Sequence, residues 1–168
     1  MLHEKIPIGA NAPREVNTII EVPKGSSNKY KYIPEEDLYR YDHTLFSPLY
    51  YPADYGWICG TKGQGQRKPL NVLVMASHAT FSGCLVVARP LGALLMHDQF
   101  GEAHKVISVA VADPRFDGVR ALSDLSQHTL LEFQHFFEIY QALEQHEVRI
   151  DGWEDVADTK ARIHACME

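Results

Sequence analysis

Apolar and polar positions alternate over short stretches through the first two thirds of the chain, and at a longer period through the last third. Residues 16–22 are rich in β-branched side chains and stop at Pro23, and Lys24-Gly25-Ser26-Ser27-Asn28 is turn chemistry. Along 29–33, Lys29 and Lys31 fall on one face and Tyr30 and Tyr32 on the other, the two-residue period of a strand. Segments 55–59, 70–75, 84–87, 93–97 and 105–111 give further strands, with Gly and Pro in the gaps. Many short strands between turns predict a closed barrel or a sandwich. The period then lengthens. Leu130, Phe133, Phe136, Phe137, Tyr140 and Leu143 recur at helical spacing behind Ser126, a plausible N-cap, and predict a helix over 127–146. A second helix is expected over 154–166, after a turn at Asp151-Gly152. No repeat, linker or low-complexity segment interrupts this order. The expectation is one α+β domain over residues 1–168, with a β core from about 16 to 111 and two helices packed on it late in the chain.

Composition supports a self-sufficient core. A chain of 168 residues with 45% hydrophobic and 23% charged residues is globular, and a chain of this mass buries about 70% of its unfolded surface. No apolar run approaches the ~18 residues needed to cross a bilayer. Met1-Leu2-His3-Glu4-Lys5-Ile6-Pro7 has no apolar stretch of signal-peptide length, so a cytoplasmic protein without a membrane partner is expected.

Charge changes the picture by its placement. The net charge is −6, which argues against nucleic acid as a partner. Residues 106–168 hold twelve acids and five Lys/Arg, whereas residues 1–105 hold ten acids and eleven Lys/Arg. Between His43 and His97 the only acid is Asp54, among Lys62, Arg67, Lys68 and Arg89. The middle of the chain is acid-poor, and a site built there faces its ligand with cations.

Several conspicuous patterns carry less than they promise. Gly60-Thr61-Lys62-Gly63-Gln64-Gly65 has the opening spacing of a P-loop, but Gln66 stands where Lys is required, and the segment reads as a hairpin loop. The histidines lack tight zinc spacing; His97 and His104 flank Asp98 and Glu102, and His128 and His135 are seven apart on the predicted helix. Cys59, Cys84 and Cys166 match neither a disulfide framework nor a zinc pattern and read as small packed thiols. Tyr50, Tyr51, Tyr55 and Trp57 surround Pro52 without the basic groove of a base-stacking platform, and read as core and pocket wall with phenol groups aimed inward.

Tyr51-Pro52-Ala53-Asp54-Tyr55-Gly56-Trp57-Ile58 resembles the Tyr-Pro-x-x-Tyr-Gly-aromatic segment of family I soluble inorganic pyrophosphatases. Further matches follow in order along nearly the whole chain: Ile20-Glu21-Val22-Pro23 with Lys29-Tyr30, Arg89-Pro90-Leu91-Gly92 with Asp98, Gly101 and Lys105, then His135-Phe136-Phe137-Glu138 with Tyr140, and Gly152-Trp153. The resemblance implies a five-stranded OB-like β-barrel with flanking strands and two C-terminal helices. It also implies a homo-oligomer, a hexamer or smaller, and a cavity where carboxylates hold several Mg²⁺ ions while Lys, Arg and Tyr hold phosphate.

The sequence departs from that pattern at the metal ligands. The family signature is Asp-x-Asp-Pro-x-Asp, and Gln66-Arg67-Lys68-Pro69-Leu70-Asn71 stands in its place. The second Asp of the later motif is Ala103, the Glu after the first Lys is Lys31, the phosphate-binding Arg is His43, and the Lys after the helix Tyr is Gln141. Magnesium clusters need several anionic oxygens, and an ammonium in place of a carboxylate opposes them. The expectation is therefore a site with no metal and no other cofactor, in which Lys29, Lys31, Tyr51, Lys68, Asn71, Lys105 and Tyr140 bind a small phosphate or carboxylate anion, while Asp98, Glu21, His43 and Tyr55 supply acid, base and donor groups. Two alternatives stay open: a non-catalytic structural or regulatory homologue, and a Mg²⁺-dependent diphosphatase with other ligands.

Overall fold

The computed structural model describes residues 3–62 and 68–168, apart from the side chain of Glu4. Among the described residues nine strands and two α-helices follow one another: β1 (Val16–Val22), β2 (Asn28–Ile33), β3 (Leu38–Thr44), β4 (Asp54–Ile58), β5 (Asn71–Met75), β6 (Leu85–Asp98), β7 (Gly101–Glu102), β8 (Lys105–Ala110), α1 (Gln127–Ile139), β9 (Arg149–Glu154) and α2 (Val156–Ala165). The sheet runs β1-β4-β5-β8-β6, and β1 also pairs with β6. That last pairing closes five strands into a ring, so the barrel has no free edge between its first and last members. The contact of β5 with β8 is parallel, and the other pairs in the ring are antiparallel. Both faces of the barrel wall are buried, which is why β5 and β8 are almost continuously apolar. Leu73 points into a cluster with Tyr51, Tyr55, Leu94, Phe133, Phe136 and Phe137, while Val72 and Val74 point into a second one with Val16, Ile20, Ile58 and Ile163. Thus α1 covers the first cluster and α2 the second.

The expected fold class is observed, with four differences in its elements. The separate strands over 84–87 and 93–97 are one strand, β6, whose register shifts between Pro90 and Gly92; the Pro-Leu-Gly sequence marks a bulge in it. β3 was not expected, because it is mostly exposed and polar and pairs only with β2 in a separate two-stranded ribbon. Asp151-Gly152 is not a turn. It lies within β9, which pairs with the far half of β6 through a register shift at Leu95 and Met96. The helix expected over 127–146 ends at Ile139 and passes into a 3₁₀ turn, Ala142–Glu144, and the one expected over 154–166 starts at Val156 behind Asp155. In that second helix the Asp155 carboxylate accepts the Asp158 N–H at 2.9 Å and ends the preceding strand. Part of the loop read over Gly60–Gly65, from Gly63 on, lies outside the described residues.

No helix among the described residues is long and apolar enough to cross a membrane.

Candidate functional site

The segment from Tyr51 to Trp57 builds the floor of the site. Its backbone is tied to the turn before β2: Tyr51 N–H donates to Ser26 O and Gly25 N–H to Tyr51 O, both at 2.9 Å. Asp54 is buried and accepts from Lys24 N at 2.8 Å, Thr80 N at 3.0 Å and Thr80 Oγ1 at 2.6 Å, which clasps the loop after β5 to the start of β4. Gly56 is required by crowding, since a Cβ there would stand 1.8 Å from Ile19 O on the paired strand β1. Tyr51 and Tyr55 then rise from this floor with ring centroids 5.5 Å apart, and pack on Phe136 and Phe137 of α1 at 4.9 and 6.2 Å. Burial pushes both phenols up, so each stays a neutral hydroxyl at physiological pH.

Lys105 opens β8 and is only 4% exposed. Its Nζ donates to Tyr55 Oη at 3.2 Å and lies 5.5 Å from the ring centroids of both Tyr55 and Phe137. Among the described residues it forms no ion pair. Burial pulls its ammonium down to about 8; Asp98 opposes that fall, Lys29 and Lys68 add to it, and Glu21 opposes it. Those four groups are therefore within electrostatic reach of one buried cation.

Several of the remaining expected residues lie in the same electrostatic field. Glu21, half-buried on β1, accepts Tyr32 N–H at 2.8 Å; burial raises its carboxyl, against the lowering pull of that hydrogen bond and of Lys29, Lys31 and Lys68. Asn71 is the register partner of Lys105 across the parallel β5–β8 pair. Lys68 is exposed at the approach to β5. Asp98 closes β6, and its Oδ1 accepts Phe100 N–H at 2.8 Å. Tyr140 caps α1, its ring stacked on Phe136 at 5.1 Å, and burial raises its phenol, with Glu144 and Asp98 adding to the rise. Gln66 lies outside the described residues.

His43 is placed differently from a lone acid/base group. Its Nδ1 pairs with Asp42 Oδ2 at 2.8 Å, and its Nε2 contacts Glu144 Oε1 from the 3₁₀ turn behind α1. Burial would raise Asp42, but the His43 hydrogen bond and the charges of Lys31 and Lys29 outweigh it and hold the carboxyl low. Asp42 and Glu144 were not singled out in the sequence. Adjacency to His43 was the only signal for Asp42, and Glu144, a hundred residues downstream, had none.

Two further histidines, His97 and His104, are held by side-chain hydrogen bonds. His97 Nδ1 pairs with Asp151 at 2.5 Å, and His104 Nδ1 accepts Met96 N–H at 3.0 Å. Among the described residues no group of three His, Cys, Asp or Glu side chains converges to hold a metal ion. Cys59 and Cys166 are buried, Cys84 is half-buried, and burial raises the Cys59 thiol to about 11, so it is not an activated nucleophile.

Comparison with known proteins agrees with this architecture. The family model described as inorganic pyrophosphatase matches residues 18–168. The chain is 42% identical to "Inorganic pyrophosphatase" of Halalkalibacterium halodurans over 155 residues, covering 92% of this chain and 94% of that one. It is 39% identical to the protein of the same name from Saccharolobus solfataricus over 167 residues, covering 98% and 96%. The crystal structure of inorganic pyrophosphatase from Thermus thermophilus superposes with a TM-score of 0.95 at 36% identity, covering 99% of this chain and 97% of that one. A closed five-stranded barrel with the Tyr51–Trp57 floor, matched over nearly its full length at this identity, places the chain in the inorganic pyrophosphatase family.

Proposed function

We propose that this family member binds a small, multiply charged phosphate or carboxylate anion directly on its lysines, without a magnesium cluster. The observation that carries the reading is Lys105: an ammonium 4% exposed, held by one phenol, with Lys29 and Lys68 nearby. A buried cation in that position is raised in energy by lost hydration and by its like-charged neighbours. A bound anion relieves both.

The donor set fits magnesium poorly. Mg²⁺ takes hard anionic oxygens. Glu21 and Asp98 are the carboxylates within reach of Lys105, and Lys29 and Lys68 stand in the same field. At the signature positions Lys68 is cationic and Gln66 and Asn71 are neutral. Two unit charges 4 Å apart interact by about 4 kcal/mol at an effective dielectric of 20, so exchanging carboxylate for ammonium moves the local energy by several kcal/mol against a divalent ion.

The chain's own residues can hold a ligand and move a proton beside it. Lys29, Lys31, Lys68 and Lys105 supply positive charge. Tyr51, Tyr55 and Tyr140 supply neutral hydroxyl donors, because burial keeps their phenols protonated. Glu21, with its raised carboxyl, and Asp98 are the acid/base groups in this field, and His43 lies across the β2–β3 pair from Lys29.

One observation favours a second reading, a Mg²⁺-dependent diphosphatase with other ligands: the relatives that the chain matches nearly end to end carry the name "Inorganic pyrophosphatase". Calorimetric titration with pyrophosphate, phosphate and citrate, in EDTA and in millimolar Mg²⁺, separates the two. Binding in EDTA, at an affinity that Mg²⁺ does not raise, is the expected result. Binding or rapid phosphate release that EDTA abolishes would establish the second reading instead. An absence of binding under both conditions would point to a non-catalytic homologue.

A further inference from the structure

A cationic cavity that includes none of the lysine-site residues lies beside the bulge of β6. It has a volume of about 340 Å³ and is lined by Arg14, Arg89, Arg120 and Lys160, with Asn11 and Glu15 at its side. That volume is at the lower end of the range for small-ligand pockets. The four cations come from four different segments: the turn before β1, the bulge of β6, the loop before α1, and α2. Arg89 precedes Leu94 by five residues on β6, and Leu94 pairs with Lys105. Arg89 pairs with Val109, four residues from Lys105 on β8, so strand rise alone separates the cavity from the lysine site by about 13 Å.

Arg89 is the fixed element. It is 8% exposed, and its Nε and Nη2 donate to Val119 O at 3.1 Å and Phe116 O at 2.7 Å. Those neutral carbonyls orient the guanidinium without cancelling its charge. Burial lowers its pKa and so does Arg120, while Asp117 and Glu15 oppose them. Among the described residues none of Arg14, Arg89, Arg120 and Lys160 forms an ion pair. The Glu15 carboxylate accepts Asn11 Nδ2 at 3.1 Å and leaves the lining with an excess of positive charge.

We propose that this cavity is a second anion site, separate from the lysine site, and that it takes a phosphoryl group carrying two or more negative charges. Number and chemistry favour a phosphoryl group. Three guanidinium groups and an ammonium from four segments line one cavity of about 340 Å³. Guanidinium forks match phosphate oxygens in pairs, and several of them in one lining suit the three oxygens of a phosphoryl group better than the two of a carboxylate.

The test is calorimetry on the full-length protein with pyrophosphate, glycerol phosphate and citrate as probes. It uses the Lys105→Met variant, to silence the first site, with and without Arg14→Ser, Arg120→Ser and Lys160→Gln. These three positions are exposed or half-buried, so the fold should tolerate the changes. The Lys105→Met protein should still bind pyrophosphate or glycerol phosphate, and at least tenfold more tightly than citrate. The phosphate that binds more tightly identifies the source as free pyrophosphate or a phosphate ester. The three added changes should weaken that binding at least tenfold. Unchanged affinity after those changes, or citrate binding equal to the phosphates, would overturn the proposal. A second measurement needs no variant: arginine modification by phenylglyoxal, followed by mass spectrometry. Pyrophosphate should slow modification at Arg14 and Arg120, and equal rates with and without it would count against the site. Because Lys105 is absent from one arm, failure of the first site and failure of this one are read separately.

Discussion

At the scale of the residue, Lys105 and Glu21 are ionisable groups held where water is scarce. Lys105 loses its proton near 8 in the folded chain and near its ordinary value of 10.5 when unfolded. Between those values the unfolded state binds more protons, so this group's contribution to stability rises with pH through that window. Below about 8 both states are charged, and the folded one bears the full penalty of burial. Urea denaturation at pH 7 and pH 9.5 should therefore show a gain for the wild type that Lys105→Met lacks, once the shared drift of other groups is subtracted. Anion affinity should move the other way, falling above about pH 8 as the ammonium is lost. A flat affinity from pH 7 to 9.5 would remove Lys105 from the binding reading. Glu21 obeys the opposite rule. Its carboxyl is raised above the ordinary 4.5, so its contribution is lost as pH climbs from 4.5 through the folded value. Glu21→Gln should accordingly be no less stable than wild type at pH 7, as measured by the denaturation midpoint.

At the scale of the element, small devices hold the site's parts in register. Helix α1 carries Phe133, Phe136 and Phe137 into the aromatic cluster beneath Lys105, and it starts where Ser126 Oγ accepts Thr129 N–H at 3.2 Å. Ser126→Ala should lower stability by about 1 kcal/mol, read from chemical denaturation, because one helix-end donor loses its partner. Anion affinity should change little, since the aromatic contacts remain. Gly56 is a stricter case. A side chain there meets backbone, not a movable side chain, and Gly56→Ala should prevent β1 and β4 from pairing. Loss of soluble folded protein, or an unfolding free energy lowered by several kcal/mol in urea denaturation, is the expected outcome.

At the scale of the whole molecule, the balance of charge around the lysine site decides what it can hold. The variant carrying Gln66→Asp, Lys68→Asp, Asn71→Asp and Ala103→Asp places four carboxylates where the chain now has neutral and cationic groups. It should gain a Mg²⁺-dependent rise in melting temperature that the wild type lacks. Without metal it should be less stable than wild type, since like charges in a partly dry cavity repel. Tight binding of two or more Mg²⁺ by the wild type in calorimetry would sink the metal-free reading. A variant that still ignores Mg²⁺ would show that the backbone around the site, and not charge alone, has changed.

Much of this molecule was legible in the order of its residues. β-branched runs and the Gly and Pro between them placed β1, β4, β5 and β8, the two-residue period placed β2, and the spacing from Leu130 to Tyr140 placed α1, because burial and turn chemistry dictate those patterns locally. Tyr51, Tyr55 and Lys105 were legible as candidate residues because the segments that carry them resemble a family's, and the structure packs them together. What the sequence could not supply depends on contacts between distant segments. β6 is one strand because its two halves pair with β1, β8 and β9, and those partners override the local signal of Pro90 and Gly92. β3 has no core face of its own and exists as a strand because β2 lies beside it. Glu144 meets His43 across a hundred residues, and four cations from four segments share one cavity, because closure of the barrel and docking of α2 bring them there. Local preference is set by each residue and its neighbours in the chain. Which charges end up facing one another is set by packing, and only the folded chain decides it.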